Sequence, residues 1–247
     1  MRTVTAEGAA REDADVETSS AGYALRFAGG VGRWFLERQA ALTLDLLRPF
    51  PGARVIDVGG GHGQLAAPLL QAGHAVTVYA SDASACSSEV RALAAAGRVA
   101  LETGDLRRAP FADRAFDVAL CFRLLPHARD WTALAAELSR LSARAVVVDY
   151  PTTRSVNAVS GALFGLKHRV EGDTRPFKVF REAEVAAAFA AASLRPTGRR
   201  PQFFFPMALH RALRSATLAR TLEATASALG LTRALGSPVI LRLERNP

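Results

Sequence analysis

The sequence predicts an α/β domain, a mostly parallel sheet with helices on both faces. Three observations carry that expectation. Between residues 53 and 150, short continuous apolar runs alternate with stretches of helical periodicity. The first run breaks at its C-terminal end into Gly59, Gly60, Gly61 and Gly63 before a helical pattern opens at Gln64-Leu65-Ala66. Hydrophobic residues make up 49% of the 247 residues, enough for a sizeable core. No apolar run approaches ~18 residues, so no transmembrane helix is expected.

Taken in order, residues 1–20 are small, polar and acidic, and read as a flexible tail. Residues 21–247 read as a single domain. Within it, 21–52 form an N-terminal cap. Trp34-Phe35, Ala41-Leu42 and Leu46-Leu47 recur near helical spacing, and Pro49 and Pro51-Gly52 end the run. The segment ahead of that helix, Tyr23 to Phe27 with Gly29 to Gly32, is placed to fold over a ligand or simply to lead into the helix. Residues 53–150 supply strands at Val55–Val58, Ala75–Tyr79, Val99–Glu102, Phe116–Phe122 and Ala145–Tyr150. Helices are expected over about 63–72, Ala83–Ala96 and Asp130–Leu141, with Gly73 and Gly97 as stops. Residues 151–247 complete the sheet and cover it. A helix is expected at Arg181–Ala192, a strand at Gln202–Phe205, a helix at Ala208–Leu229 and a last strand at Ser237–Leu243.

Charge is uneven. Residues 151–247 hold 15 Lys/Arg and 6 Asp/Glu, while residues 1–150 hold 16 and 17, so the excess positive charge lies in the last third. It implies an anionic substrate, or only a solvated, Arg-rich surface. The N-terminus has no basic region followed by an apolar one, so no signal peptide is read. Cys86 and Cys121 lack metal-ligand spacing. A reducing cytoplasm and no metal are expected.

The glycine-rich turn lets a ligand press against bare backbone, and the helix after it offers unpaired N–H donors. A P-loop would need Gly-Lys-Ser/Thr, which is absent. A dinucleotide fingerprint counted from Gly59 meets Gln64 where a third small residue belongs; counted from Gly61 it is satisfied by Gly63 and Ala66, two residues further from the strand. Asp57-Val-Gly59-Gly60-Gly61-His62-Gly63 resembles the first motif of the class I S-adenosylmethionine-dependent methyltransferases, an acid followed by G-x-G-x-G. Thr103-Gly104-Asp105-Leu106, the run Ala109 to Asp117, and Arg123 to Trp131 are similar to that family's later motifs. The likeness is nearest to methyltransferase family 11, the group that includes ubiquinone and menaquinone biosynthesis methyltransferases.

The resemblance implies a Rossmann-like, seven-stranded sheet with inserted C-terminal helices over the substrate, and S-adenosyl-L-methionine as cofactor. It implies that Asp57, Gly59, Gly60, Gly61, His62 and Gly63 hold the methionine and ribose part. It also implies that Gly104, Asp105 and Leu106 hold the adenine, with Phe122 and Tyr23 near the cofactor. One departure stands out. The family ends strand two with an acid, whereas here Tyr79-Ala80 occupies that place and Asp82 comes two residues later. Ser81 or Asp82 takes the ribose role, or backbone and water do and Asp82 only caps the next helix.

Methyl transfer needs alignment above all, so a base is optional. His127, after strand four, and Tyr150, at the end of strand five, stand at the strand edge where such sheets place ligands, and are the candidate catalytic residues. Lys167, His168, Arg169, Arg175 and Lys178 read as an anion-recognising lid or a solvated loop, and Arg199-Arg200 likewise. Phe203 to Phe205 read as core or as an aromatic acceptor pocket. The function expected is methyl transfer to a small anionic, aromatic or lipid-like acceptor, by in-line displacement at O, C or N. The alternatives are a nucleic-acid methyltransferase, for which no basic arm or Asn/Asp-Pro-Pro-aromatic motif is present, and a cofactor-binding protein without transferase activity.

Overall fold

The computed structural model describes residues 11–19, 25–156 and 177–246. Five strands run parallel: Arg54–Val58 (β1), Ala75–Ala80 (β2), Ala100–Thr103 (β3), Phe116–Cys121 (β4) and Ser142–Tyr150 (β5). Leu194–Pro201 (β6) and Val239–Arg245 (β7) close the sheet as an antiparallel pair, with β7 against β5. The order is β3-β2-β1-β4-β5-β7-β6, a seven-stranded sheet of the expected class.

Strand alternation divides the apolar residues between two faces. Ile56, Val58, Ala119, Cys121, Val146 and Val148 enter one core, and Val55, Val118, Leu120, Ala145 and Val147 enter the other. The first core is closed by Trp131–Leu141, through Leu134 and Leu138, and by Glu182–Ala190, through Val185 and Phe189. The second is closed by Gly29–Leu47, through Leu46 and Leu47, and by Ala66–Gln71 and Ser88–Ala95, through Leu69 and Val90. This two-sided burial explains why the strands read as unbroken apolar runs.

Several elements differ from expectation. Gln202–Phe205 is not a strand; β6 lies just before it, at an edge, where Pro196 and Gly198 shift its register against β7. An edge strand that buries little carries no apolar alternation to read. Phe203 instead joins Val31, Trp34 and Phe35 in a satellite cluster. The helix expected at Ala208–Leu229 divides into Met207–Leu213 and Ala216–Ala228, because Arg214 adopts φ 52° and Ser215 caps the second piece at Leu218 N. The helix expected from Ala83 begins as a single turn over Ala83–Ala85, and Ser87 caps the helix proper at Val90 N. The tail expected to be flexible is folded where it is described. Ala14–Thr18 forms a short helix, with Glu12, Ala14, Asp15 and Thr18 buried.

The aromatic cluster is tied by one buried acid. Glu223 accepts hydrogen bonds from the backbone N–H groups of Phe204 and Phe205 and meets His210 Nε2, each at 2.9 Å. Burial pushes its carboxyl up, but these partners outweigh burial and hold it below the usual range. Glu223→Ala removes all three partnerships from a closed site. Urea unfolding should show a loss of about 3 kcal/mol or more, with Glu223→Gln recovering part of it.

Candidate cofactor and acceptor site

β1 delivers its chain into the glycine turn at the C-terminal edge of the parallel strands. Gly59 takes φ 76°, and its N–H donates to Tyr79 O at 2.8 Å. A Cβ there would stand 2.7 Å from Leu124 Cδ2, and one on Gly60 would run into the Asp57 carboxylate. Both positions therefore require glycine for close approach. Asp57 is buried, and its Oδ1 has no partner. Burial raises its carboxyl to about 7, against the pull of Arg123 and with a further push from Asp149. Both His62 ring nitrogens and both Gln64 amide atoms are also buried without partners. Burial, helped by Arg123, drives His62 well below its ordinary value and keeps it neutral.

Buried polar atoms without partners are uncommon. Here they cluster along one turn and offer an anionic or neutral acid, a neutral imidazole and an amide. That set fits a zwitterionic amino-acid group, such as the methionine end of S-adenosylmethionine.

The ends of β2 and β3 are arranged differently. Ser81 N–H donates to Asp15 Oδ2 at 2.7 Å, and Ser81 O accepts from the Arg11 guanidinium. Asp82 is exposed and accepts from Ser84 N at 2.8 Å, the capping alternative. Gly104 N–H donates to Ala80 O, and Leu106 is fully buried. Asp105 accepts from Arg107 N at 3.0 Å, from its guanidinium, and from Glu12 N at 3.4 Å. Burial pushes Asp105 up, but the hydrogen bonds from Arg107 outweigh it and hold the carboxyl low. Phe122 is buried in the second core. Tyr23, Lys167, His168, Arg169 and Arg175 lie outside the described residues.

A cavity of about 230 Å³ opens beside the turn. Arg26, Arg123 and Arg211 give it charge, and Phe27, Phe35, Phe177 and Phe203 give it aromatic walls. Gln39, Gln202, His127 and Asp149 supply neutral and acidic groups. Hydrogen bonds fix these pieces from distant parts of the chain. Lys178 N–H donates to Pro126 O, holding Phe177 beside His127, whose rings lie 5.5 Å apart. Gln202 N–H donates to Pro238 O, and Gln202 O accepts from Arg38 Nε at 2.6 Å.

Asp149, at the end of β5, is 3% exposed. Its Oδ1 accepts from Arg123 N at 2.5 Å, and Gln39 Nε2 lies 3.5 Å from Oδ2. Burial raises its carboxyl to about 6, against the Arg123 backbone and side chain. Arg123 itself sits at φ 57°, with its guanidinium 4.5 Å from the centre of the Phe27 ring. Asp57, His62 and Asp149 all feel Arg123, so glycine turn and cavity share one electrostatic neighbourhood.

Of the two residues expected to be catalytic, His127 lines this cavity and Tyr150 does not. Tyr150 is fully buried, packs on Phe180, and has its hydroxyl driven upward by burial. Asp149, Arg123, Gln39 and Arg26 escaped the sequence reading as site residues. Gln39 left a usable signal, an amide that shares the buried face of the Gly29–Leu47 helix with Thr43 and otherwise mostly apolar residues. Five of the described C-terminal basic residues are held in ion pairs. Arg199 pairs with Glu182, Arg200 with Asp45, Arg220 with Glu37, Arg242 with Glu244 and Lys178 with Glu184. No helix among the described residues is long and apolar enough to cross a membrane.

Residues 55–144 match a family described as "Methyltransferase domain". An O-methyltransferase of Pyrenophora dematioidea is 30% identical over 110 residues, 42% of this chain and 41% of that protein. A ubiquinone biosynthesis O-methyltransferase of Mesorhizobium japonicum is 28% identical over 169 residues, 65% of this chain and 67% of that one. The match thus spans well under half of the first relative's length and about two thirds of the second's. Among solved structures, magnesium protoporphyrin IX methyltransferase from Synechocystis with bound SAH superposes with a TM-score of 0.63 at 15% identity, covering 93% of this chain and 96% of that one. A geranyl diphosphate methyltransferase in complex with SAM gives 0.61 at 20% identity, covering 92% of each. At these identities the superpositions speak for the fold.

The raised Asp57 carboxyl makes stability depend on pH. Between about 3.8, its value in the unfolded chain, and about 7, the folded state binds the extra proton. Its burial therefore destabilises increasingly as pH rises through that window, and fully above it. Asp57→Asn should raise Tm by several degrees at about pH 8 and little at about pH 4, read by differential scanning calorimetry. An equal gain at both would remove the titration.

Proposed function

We propose that the chain is a class I S-adenosylmethionine-dependent methyltransferase, a reading supported by the match of residues 55–144 to a methyltransferase domain, and that it methylates a hydroxyl on a small, aromatic or apolar-bodied acceptor that carries an anionic group. The cavity supports this reading most directly, since it combines three arginines with four phenylalanines beside the glycine turn. Aromatic walls bury a flat or apolar body, and guanidinium groups take a carboxylate or phosphate in forked hydrogen bonds. Its volume, about 230 Å³, suits a small molecule.

The cofactor supplies an electrophilic methyl carbon, which takes an oxygen lone pair while the carbon–sulfur bond electrons stay on sulfur. Asp57, His62 and Gln64 are placed to hold its methionine end, and Gly59 to Gly63 to let it approach. The acceptor proton needs a destination. Asp149 lines the cavity with Oδ2 facing only the long contact to Gln39, and a carboxyl near 6 is a carboxylate at neutral pH. It is the proposed proton acceptor. His127 and Phe177 are proposed as acceptor-packing residues on the same cavity, and Phe27 with Arg123 as the charged wall.

The test is transfer of labelled methyl from S-adenosylmethionine to a panel of phenolic carboxylates, their neutral analogues, RNA and protein. Turnover confined to small hydroxylated anions supports the reading, and transfer to RNA or protein alone overturns it. With the best acceptor, Asp149→Asn should lower kcat by about 10²–10⁴-fold with KM within a few-fold. His127→Ala should act mainly on KM. The reverse pattern would move the base to His127.

A further inference from the structure

The residues assigned to the adenosine half of the cofactor are covered by the chain itself. Arg11 to Thr18 engages both main-chain polar groups of Ser81, through the Asp15 carboxylate and the Arg11 guanidinium. Glu12 N–H reaches Asp105 Oδ1, and Glu12 Oε2 accepts from Arg129 N at 2.9 Å. Ala14 packs in the core that holds Leu106, Leu124 and Leu125. Val16 packs beside Ala80, Ala85 and Cys86. A Cβ on Gly59 would stand 3.6 Å from that of Asp15. At the methionine half no such segment intervenes among the described residues, and Asp57 Oδ1, His62 and Gln64 are buried and unpartnered; at the adenosine half the unpartnered buried atoms include Ser81 Oγ and Asp15 Oδ1.

We propose that Arg11–Thr18 is an internal occupant of the adenosine half-site, which withdraws when the cofactor seats. The inference rests on the cofactor reading above and goes beyond it, making affinity for the methyl donor depend on the N-terminus.

The segment is built to leave. Its helix has five residues, far below the length at which a helix holds by itself. It brings Glu12 and Asp15 into full burial. Asp15 Oδ1 is buried with no partner, and burial raises that carboxyl above its ordinary value despite the Ser81 hydrogen bonds. The segment thus buries the Asp15 carboxyl at an unfavourable site, and a ligand that supplies better partners to Ser81 and Asp105 displaces it at modest cost. An occupied half-site lowers apparent affinity by the fraction of molecules that are open. Weakening the segment therefore tightens binding.

The experiment is hydrogen–deuterium exchange on the full chain with and without S-adenosylhomocysteine, paired with calorimetry on Asp15→Ala and on Glu12→Ala/Asp15→Ala. Displacement predicts faster exchange of amides 12–18 when the ligand binds, with slower exchange around Gly59–Gly63. It also predicts about tenfold tighter binding in the double variant. Added protection of 12–18 with weaker binding in Asp15→Ala would overturn it and make the segment a fixed wall of the site, with Asp15 as a ligand-holding acid. Unchanged exchange at 12–18 would overturn it too. If S-adenosylhomocysteine binds neither parent nor variants, the cofactor assignment itself falls, and the proposal with it.

Discussion

The site depends on one arginine shared between two buried carboxylates. β4 lies between β1 and β5, so the residue just past its end stands between Asp57 and Asp149. Arg123 fills that place. Its backbone N–H fixes Asp149, its positive charge opposes the ionisation penalty of both acids, and it keeps His62 neutral. Even so, burial wins over attraction at each acid, which is the usual balance when charges leave water. A core built for stability alone would place apolar residues here. Two carboxylates held near neutrality beside a cavity are better understood as groups kept ready for a ligand and a proton.

The strand order gives that arrangement its consequence. In an open parallel sheet the C-terminal strand ends form the ligand crevice. β1 brings the glycine turn there, β4 brings Arg123 and His127, and β5 brings Asp149. The antiparallel β7 then lets the chain return, and Pro238 meets Gln202 at the same edge. The N-terminal helix adds Gln39 and Phe35 from the other side. The acceptor cavity is therefore assembled from the chain's beginning, middle and end, while the glycine turn comes from one stretch.

That difference explains what was legible in the sequence. Strands β1, β2, β4 and β5 could be read because burial on both faces makes them largely continuous apolar runs, whereas β3 is a mostly exposed edge strand. Asp57 to Gly63 and Asp105 could be read because each is a local pattern at a strand end. β6 could not, since an edge strand with Pro196 and Gly198 lacks any periodicity. The fold of residues 11–19 was hidden because its burial comes from carboxylates meeting distant backbone N–H groups, Asp15 with Ser81 and Glu12 with Arg129, rather than from an apolar stripe. Arg26, Gln39, Arg123 and Arg211 are ordinary residues in sequence and become a site only through topology. Asp149 likewise lies within the apolar run of β5, and its place on a cavity comes from the fold.

The two ends of the cofactor site also obey different constraints. At the methionine end the chain leaves polar atoms of Asp57, His62 and Gln64 unpaired, a cost that any fitting ligand removes. At the proposed adenosine end it meets the main-chain groups of Ser81, and Asp105, with its own N-terminal residues, leaving Ser81 Oγ unpaired. The affinity for one ligand is then the sum of a gain at one end and a replacement at the other. Replacement returns little net hydrogen-bond energy, because the partners lost resemble those gained. Selectivity for the methyl donor thus falls mainly to the Asp57 end. On the proposed function, selectivity for the acceptor falls to the cavity's Arg26, Arg123 and Arg211, with Arg123 common to both. Through that residue, the charge of the cavity is electrostatically coupled to Asp57 and His62, the groups proposed to hold the cofactor's methionine end.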